Sequence, residues 1–237
     1  HENPEQSLAP AGQLLVEAEL PDIVRAELYR GLARWIPPDR IPGLAEVMDI
    51  GDSAPVAVRR AAMEACLMHA LHRSQVDSRE LRAANYAATL WPPTSENCRR
   101  DADKHVRATF GKCAALSGHP EALDWLKSQL RDAEVSVRQQ ALVSIGYIGT
   151  DEARAELRSR AKRPEEIMRA HAIQGLAQWG VRELTLAADD NSALVRERVA
   201  EQLARFPNIE GSLLIEKLLQ DPDPQVQTAA LDSIGAW

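Results

Sequence analysis

An apolar residue followed by arginine recurs along this chain with further apolar residues at fixed offsets, and that register limits the fold more tightly than any other feature. Aligned on the arginine, one column holds Arg25, Arg59, Arg107, Arg138, Arg169 and Arg196, with Gln227 in the seventh slot. The intervals are 34, 48, 31, 31, 27 and 31 residues. Repetition at about 30 residues marks a solenoid, whose units bury their apolar faces against one another. One position earlier stand Val24, Val58, Val106, Val137, Met168, Val195 and Val226. Three positions later come Leu28, Ala62, Phe110, Ala141, Ala172, Val199 and Ala230, and seven later Leu32, Cys66, Ala114, Ile145, Leu176, Leu203 and Ile234. Offsets of −1, +3 and +7 share one face of a helix with 3.6 residues per turn.

Composition enters as the measure of chance. At 45% hydrophobic residues, one column filled seven times by accident has a probability of roughly one in three hundred. Three such columns in register are not accidental. Aromatic residues make up only 4% of the chain, so the core is built from Ala, Leu, Val and Ile, which suits close-packed helices better than sheets. The column at +8 is nearly all small: Ala33, Leu67, Ala115, Gly146, Ala177, Ala204 and Gly235. Small residues there let a neighbouring helix come close.

A break and a second apolar-periodic segment follow each of these helices, most clearly in "GHPEALDWLKSQL", "GTDEARAELRSRA" and "FPNIEGSLLIEKLL". Gly at the end of the first helix and Asp, Thr or Pro at the start of the second are the expected stop and start signals. The repeating unit is therefore a helical hairpin. Asp101, Asp132, Asp190 and Asp221 stand six residues before the arginine column. They are positioned to cap a helix, and the arginines to pair with a carboxylate of their own or the adjacent repeat. The fifth repeat has "RPEEIMR" in place of the aspartate, and Gln227 replaces the last arginine, so this ladder is expected to weaken toward the C-terminus.

On the "D…VR..A…AL…G" pattern the chain resembles the HEAT-repeat family, in particular its short bacterial, phycobilin-lyase-like form, over nearly all of its length. The resemblance implies an all-α fold, an α-solenoid of about seven HEAT-like helical hairpins in a right-handed superhelix, with the second helices lining the concave face. Residues 1–21 are read as an N-terminal segment or helical cap, with "GQLLVEAEL" (Gly12 to Leu20) as the second helix of an earlier repeat or an N-terminal cap. The repeat domain spans 22–237, with repeats near 22–51, 52–100, 101–131, 132–162, 163–188, 189–220 and an incomplete 221–237. The second repeat carries about 17 extra residues, including "LWPPTSENCRRDADK" (Leu90 to Lys104), which two prolines and a polar run mark as a loop. The incomplete last hairpin, without a polar cap, makes a fragment of a larger polypeptide, or an end covered by a partner, the expectation.

The pattern of chemistry-bearing residues points to binding rather than catalysis. Six histidines are scattered, and His69 and His72, three apart on a helix, lack an HExxH or carboxylate context. Iron-binding HEAT-like hydroxylases use His-Glu pairs, and the one "HE" here is His1-Glu2. No phosphate loop or nucleophile motif stands out. Cys66, Cys98 and Cys113 have no metal-finger spacing and are read as free thiols, with Cys66 and Cys113 on apolar helix faces. No catalytic residue, metal ligand or cofactor is assigned. A net charge of −7 argues against nucleic acid and anionic lipid as main partners, and no apolar run is long enough for a membrane span. Reduced cysteines favour the cytoplasm, although the start at His1 also fits a processed exported protein.

The sharpest candidate for recognition is a basic stripe. Arg154, Arg158 and Lys162 recur at i, i+4 and i+8 on the fourth repeat's second helix, beside the buried stripe of Ala153, Leu157 and Ala161. Lys127 and Arg131 occupy the matching columns of the third repeat as those of Arg158 and Lys162. Stacked, these residues form a ridge suited to an acidic segment or phosphate, against the plainer reading of a solvated face with ion pairs such as Glu156 to Arg160. Trp125 sits in a flank column that fits packing between layers, whereas Trp91, beside the insertion, is the tryptophan placed for partner contact. The function expected is a protein–protein interaction scaffold or adaptor without enzymatic activity. The alternative is a HEAT-like enzyme or enzyme subunit, bilin-lyase-like or acting in nucleic-acid repair.

Overall fold

The computed structural model describes residues 9–17, 19–35, 40–44, 46–47, 51–76 and 95–237. Among the described residues there are thirteen α-helices, two short 3-10 turns and no strand. The chain forms two compact units, His1–Trp125 and Leu126–Trp237. Each is a stack of helices laid down in chain order.

In the first unit, α1 (Ala9–Glu17) covers most of the segment read as an N-terminal helix and precedes α2 (Asp22–Leu32) and α3 (Val56–Val76). After these come α4 (Ser95–Arg100), α5 (Lys104–Ser117) and the start of α6 (Ala122–Gln129). Helices α2, α3 and α5 carry the arginine column, and each packs on the next. Their apolar faces supply the core, with Tyr29, Met63 and Phe110 among its largest buried side chains. The stretch read as a loop over Leu90 to Lys104 is helical over α4, and its proline pair lies outside the described residues. Glu96 in its first turn and Arg99 and Arg100 in its last oppose the helix dipole.

The second unit contains α7 (Val135–Ile148), α8 (Asp151–Arg160), α9 (Glu166–Leu176), α10 (Val181–Thr185), α11 (Ala193–Leu203), α12 (Ile209–Leu218) and α13 (Pro224–Gly235). The first helices of successive hairpins, α7, α9, α11 and α13, pack in that order, and the short α10 packs against α12. Val137, Ala141, Ile145, Ala172, Leu176, Val195, Val199, Leu203, Val226 and Ala230 are all buried, as the columns require. The exceptions are Val24, 41% exposed, and Ile234, 42% exposed, with Leu28 and Met168 half-buried. Close approach depends on glycine where α7 meets α9. A Cβ on Gly146 would lie 2.4 Å from the Gly175 carbonyl oxygen, and one on Gly175 would lie 2.6 Å from that of Leu142. Gly149, with φ of 71°, closes α7 in the left-handed conformation that glycine adopts without steric cost.

The arginines form a ladder with a consistent geometry. Arg59 reaches forward to Asp101, Nε to Oδ2 at 2.7 Å and Nη2 to Oδ1 at 3.0 Å, across the insertion. Arg169 grips Asp190 at 2.9 and 2.8 Å, and Arg196 grips Asp221 at 2.6 and 2.9 Å, in the same two-pronged way. The remaining nitrogen of the arginine turns back on its own repeat: Arg196 Nη1 donates to the Asp190 carbonyl at 2.7 Å and Arg138 Nη1 to that of Asp132 at 2.6 Å. Gln227 keeps this backward bond, donating to the Asp221 carbonyl at 2.7 Å.

Two expectations are corrected here. The ladder does not fade toward the C-terminus, because Arg169 and Arg196 both find the aspartate of the repeat that follows. Arg138 has no aspartate ahead of it, since Arg163 occupies that slot, and neither has Arg25, where the slot holds Ser53. Nor do the column aspartates cap the helices. Asp101, Asp132, Asp190 and Asp221 accept the backbone N–H two residues on, at 2.7 to 2.9 Å, and so fold the turn. The N-cap residues lie later, as in Asp103, which accepts from the N–H groups of His105 and Val106.

Candidate protein-docking surface

Helix α8 is well specified by its sequence. The Thr150 hydroxyl accepts the Ala153 N–H at 3.2 Å, Asp151 and Glu152 occupy the first turn, and Arg158 and Arg160 the last, all favourable to the helix dipole. Ala153 and Leu157 are fully buried, which turns Arg154, Arg158 and Lys162 to the flank. The Glu156 to Arg160 pair forms at 2.8 Å.

What the stripe meets is a carboxylate in the core. Glu183, on α10, is 1% exposed. It stands three residues after Gly180, the position that Ala153 holds after Thr150 and buried Gly211 after Asn208. An ionised carboxylate in a column otherwise reserved for small residues needs partners to survive burial. It has two. Arg154 Nε donates to Oε1 at 2.9 Å, with Nη2 on the same oxygen, and Arg158 donates through Nε to Oε2 at 2.9 Å and through Nη2 to Oε1 at 2.6 Å. Burial pushes the Glu183 pKa up, and the bonds from Arg158 and Arg154 more than offset it, leaving it below the ordinary carboxylate range. Two guanidiniums against one carboxylate leave a net positive charge whose bearers are fixed in direction.

The outer side of these residues lines a depression of about 780 Å³, bounded by Asp151, Arg154, Ala155, Arg158, Ser159, Lys162 and Arg163. Four cations face one carboxylate there. Lys127 is half-buried on α6, and Arg131 is exposed just past its end. The described geometry does not bring these two into the depression with the α8 residues. Trp91 lies outside the described residues. Trp125 is 8% exposed, stacked on His119 with centroids 4.4 Å apart and tilted against Phe110 at 5.8 Å, so it packs between layers.

Glu183 was not legible as a site residue, though one signal existed: an ionisable side chain in a column filled by Ala153 and Gly211. Further along, the second helices expose apolar side chains, Leu186 at 73%, Ile209 at 79% and Leu213 at 62%. A second depression of about 470 Å³ lies between α11 and α13, bordered by Glu197, Glu201 and Asp232.

The thiols are unsuited to nucleophilic work. All three cysteines are buried, and none forms a disulfide. Burial, with Cys98 close by, pushes the Cys66 thiol up to about 12, and Cys113 is raised for the same first reason, whereas the reactive form is the thiolate. Among the described residues no group of three or more His, Cys, Asp or Glu is arranged to hold a metal ion. No helix among them is long and apolar enough to cross a membrane.

Compared with known proteins, the chain matches the family model for HEAT repeats over residues 92–177. No curated protein matches it. Two crystal structures of engineered proteins resemble it: one at 17% identity covers 96% of this chain and 96% of its own, with a TM-score of 0.42. The other, at 14% identity, covers 98% and 78%, with a TM-score of 0.37.

Proposed function

We propose, on the premise that residues 92–177 are HEAT repeats, that this chain is a protein–protein interaction scaffold without catalytic activity of its own. HEAT repeats generally mediate protein–protein interaction, and the fold is typically a non-catalytic framework. The finer part of the reading is the surface used: a ridge of Lys127, Arg131, Arg154, Arg158 and Lys162 that receives an acidic segment of the partner, with Trp91 as a second contact.

One observation carries this choice. Arg154 and Arg158 are held on Glu183, which is almost fully buried, so the ordering cost of two long side chains falls on folding and not on binding. Exposed cations that wander in solvent contribute little to recognition, whereas these keep one geometry. Electrostatic complementarity of this kind sets association rate and specificity more than raw affinity.

The test is the quadruple variant Lys127→Ala, Arg131→Ala, Arg158→Ala, Lys162→Ala. Partners cross-linked to the wild-type protein in cells are identified and purified, and their binding to both proteins is then measured by titration calorimetry. Loss of about tenfold or more in affinity is the expected outcome. Unchanged binding of every purified partner overturns the ridge. Turnover of a pigment or nucleic-acid substrate by the purified chain overturns the non-enzymatic reading.

A further inference from the structure

The row of second helices in the second unit changes character along its length. Helix α8, with Arg154 and Arg158, and the turn that follows it, with Lys162 and Arg163, present the four cations of the depression. Helix α10 has five residues where α8 and α12 have ten each, so it is shorter by about 7.5 Å at 1.5 Å per residue. On its other side, α12 turns Ile209 and Leu213 outward at i and i+4, 79% and 62% exposed, and Leu186 at the end of α10 is 73% exposed. Single exposed apolar residues are ordinary. Three large ones on two helices packed against each other are not, particularly as Ala155 and Asp151 stand at the positions of α8 that match Leu213 and Ile209.

We infer that this face docks one acidic, amphipathic segment of a partner protein. Its carboxylates meet Arg154, Arg158, Lys162 and Arg163, and its apolar side chains cover Leu186, Ile209 and Leu213. The inference rests on the basic-ridge reading and adds an apolar half, with an order along the partner chain. Charge complementarity selects the occupant: four cations against Asp151 and the Glu183 that Arg154 and Arg158 share leave a positive excess that rejects a basic segment and attracts an acidic one. The apolar end supplies burial that exposed ion pairs do not, and slows dissociation. Neighbouring helices lie about 8–10 Å apart, so α8 and α12, with α10 between them, are about 20 Å apart. An extended chain at about 3.3 Å per residue crosses that distance in about six residues, which sets the separation of the acidic and apolar blocks.

The test uses the whole chain and three fluorescein-labelled peptides read by anisotropy. One joins a Glu/Asp block to a Leu/Phe block through six Gly/Ser residues, the second replaces the apolar block with serines, and the third replaces the acidic block with serines. The joined peptide is expected to bind at least about tenfold more tightly than either half. Ile209→Ser with Leu213→Ser is expected to reduce it to the level of the acidic peptide while leaving the acidic peptide unaffected. Lys162→Glu with Arg163→Glu is expected to weaken both acidic peptides. Because these positions are exposed, circular dichroism of each variant is expected to match the wild type. Equal binding of the joined and acidic peptides overturns the apolar half and leaves the ridge standing. Absence of binding by both acidic peptides overturns the inference and the ridge together.

Discussion

Glu183 shows how a single side chain sets the behaviour of its surroundings. A carboxylate that is 1% exposed has surrendered most of its hydration, and its two arginines replace that water. Removing the partners and removing the whole triad therefore have opposite consequences. Arg154→Ala with Arg158→Ala leaves a buried, unpaired carboxylate and is expected to cost about 3 kcal/mol in urea denaturation. Arg154→Met, Glu183→Ala and Arg158→Leu together place at 183 the residue found at Ala153, and stability is expected to stay within about 1 kcal/mol of wild type or to rise. If the two sets destabilise equally, the triad is not held by mutual compensation. The sequence pattern located both arginines, because i, i+4 spacing is periodic. It missed their anchor, because Glu183 comes from another repeat and a column position alone does not reveal that its occupant is charged and satisfied.

At the scale of helices, packing distance is set by the absence of a side chain. Gly146 and Gly175 let α7 and α9 touch backbone to backbone, and a methyl group at 146 would meet the Gly175 carbonyl oxygen at 2.4 Å. Gly146→Ala is therefore expected to lower stability by about 1–3 kcal/mol, through overpacking. Gly31→Ala, inside α2 with nothing within 4 Å of the added Cβ, is expected to raise it by about 0.5–1 kcal/mol, through helix propensity. Thermal melts of the pair check both signs. The helices themselves were readable, since the columns at −1, +3 and +7 report which face is buried. Boundaries between turn and cap were not. The aspartate six residues before the arginine and the N-cap four before it are both polar, and only the backbone shows that Asp101 folds the turn while Asp103 caps α5. Nor did the 27-residue interval reveal by itself that the shortening falls on α10.

For the whole molecule, the many forward-facing carboxylates predict acid lability. Arg60 holds the Asp103 carboxyl down to about 2, ahead of its backbone bonds, and Arg196 lowers Asp221. Burial raises Asp190, but Arg169 outweighs it, so this group too ends low. Burial also lowers His119 and His171 below the usual imidazole value. Each group binds fewer protons folded than unfolded, so its contribution is fully present above its unfolded value and is lost as pH falls through the folded one. The urea midpoint is expected to decline gently below about pH 6.5 as the histidines take up protons, and steeply below about pH 4 as the carboxylates do. A midpoint constant from pH 7 to pH 3.5 contradicts this assignment. Resistance of the decline to moderate salt is also expected, since half-buried pairs are screened less than exposed ones.

The two-pronged grips of Arg59, Arg169 and Arg196 all run the same way, from one hairpin to the aspartate of its successor. Such wiring gives the array a grammar: a module is read correctly only when the next one supplies the matching acid. Shuffled or duplicated modules should join where that rule is kept and come apart where it is broken, with the junction after Arg138 the natural place to cut.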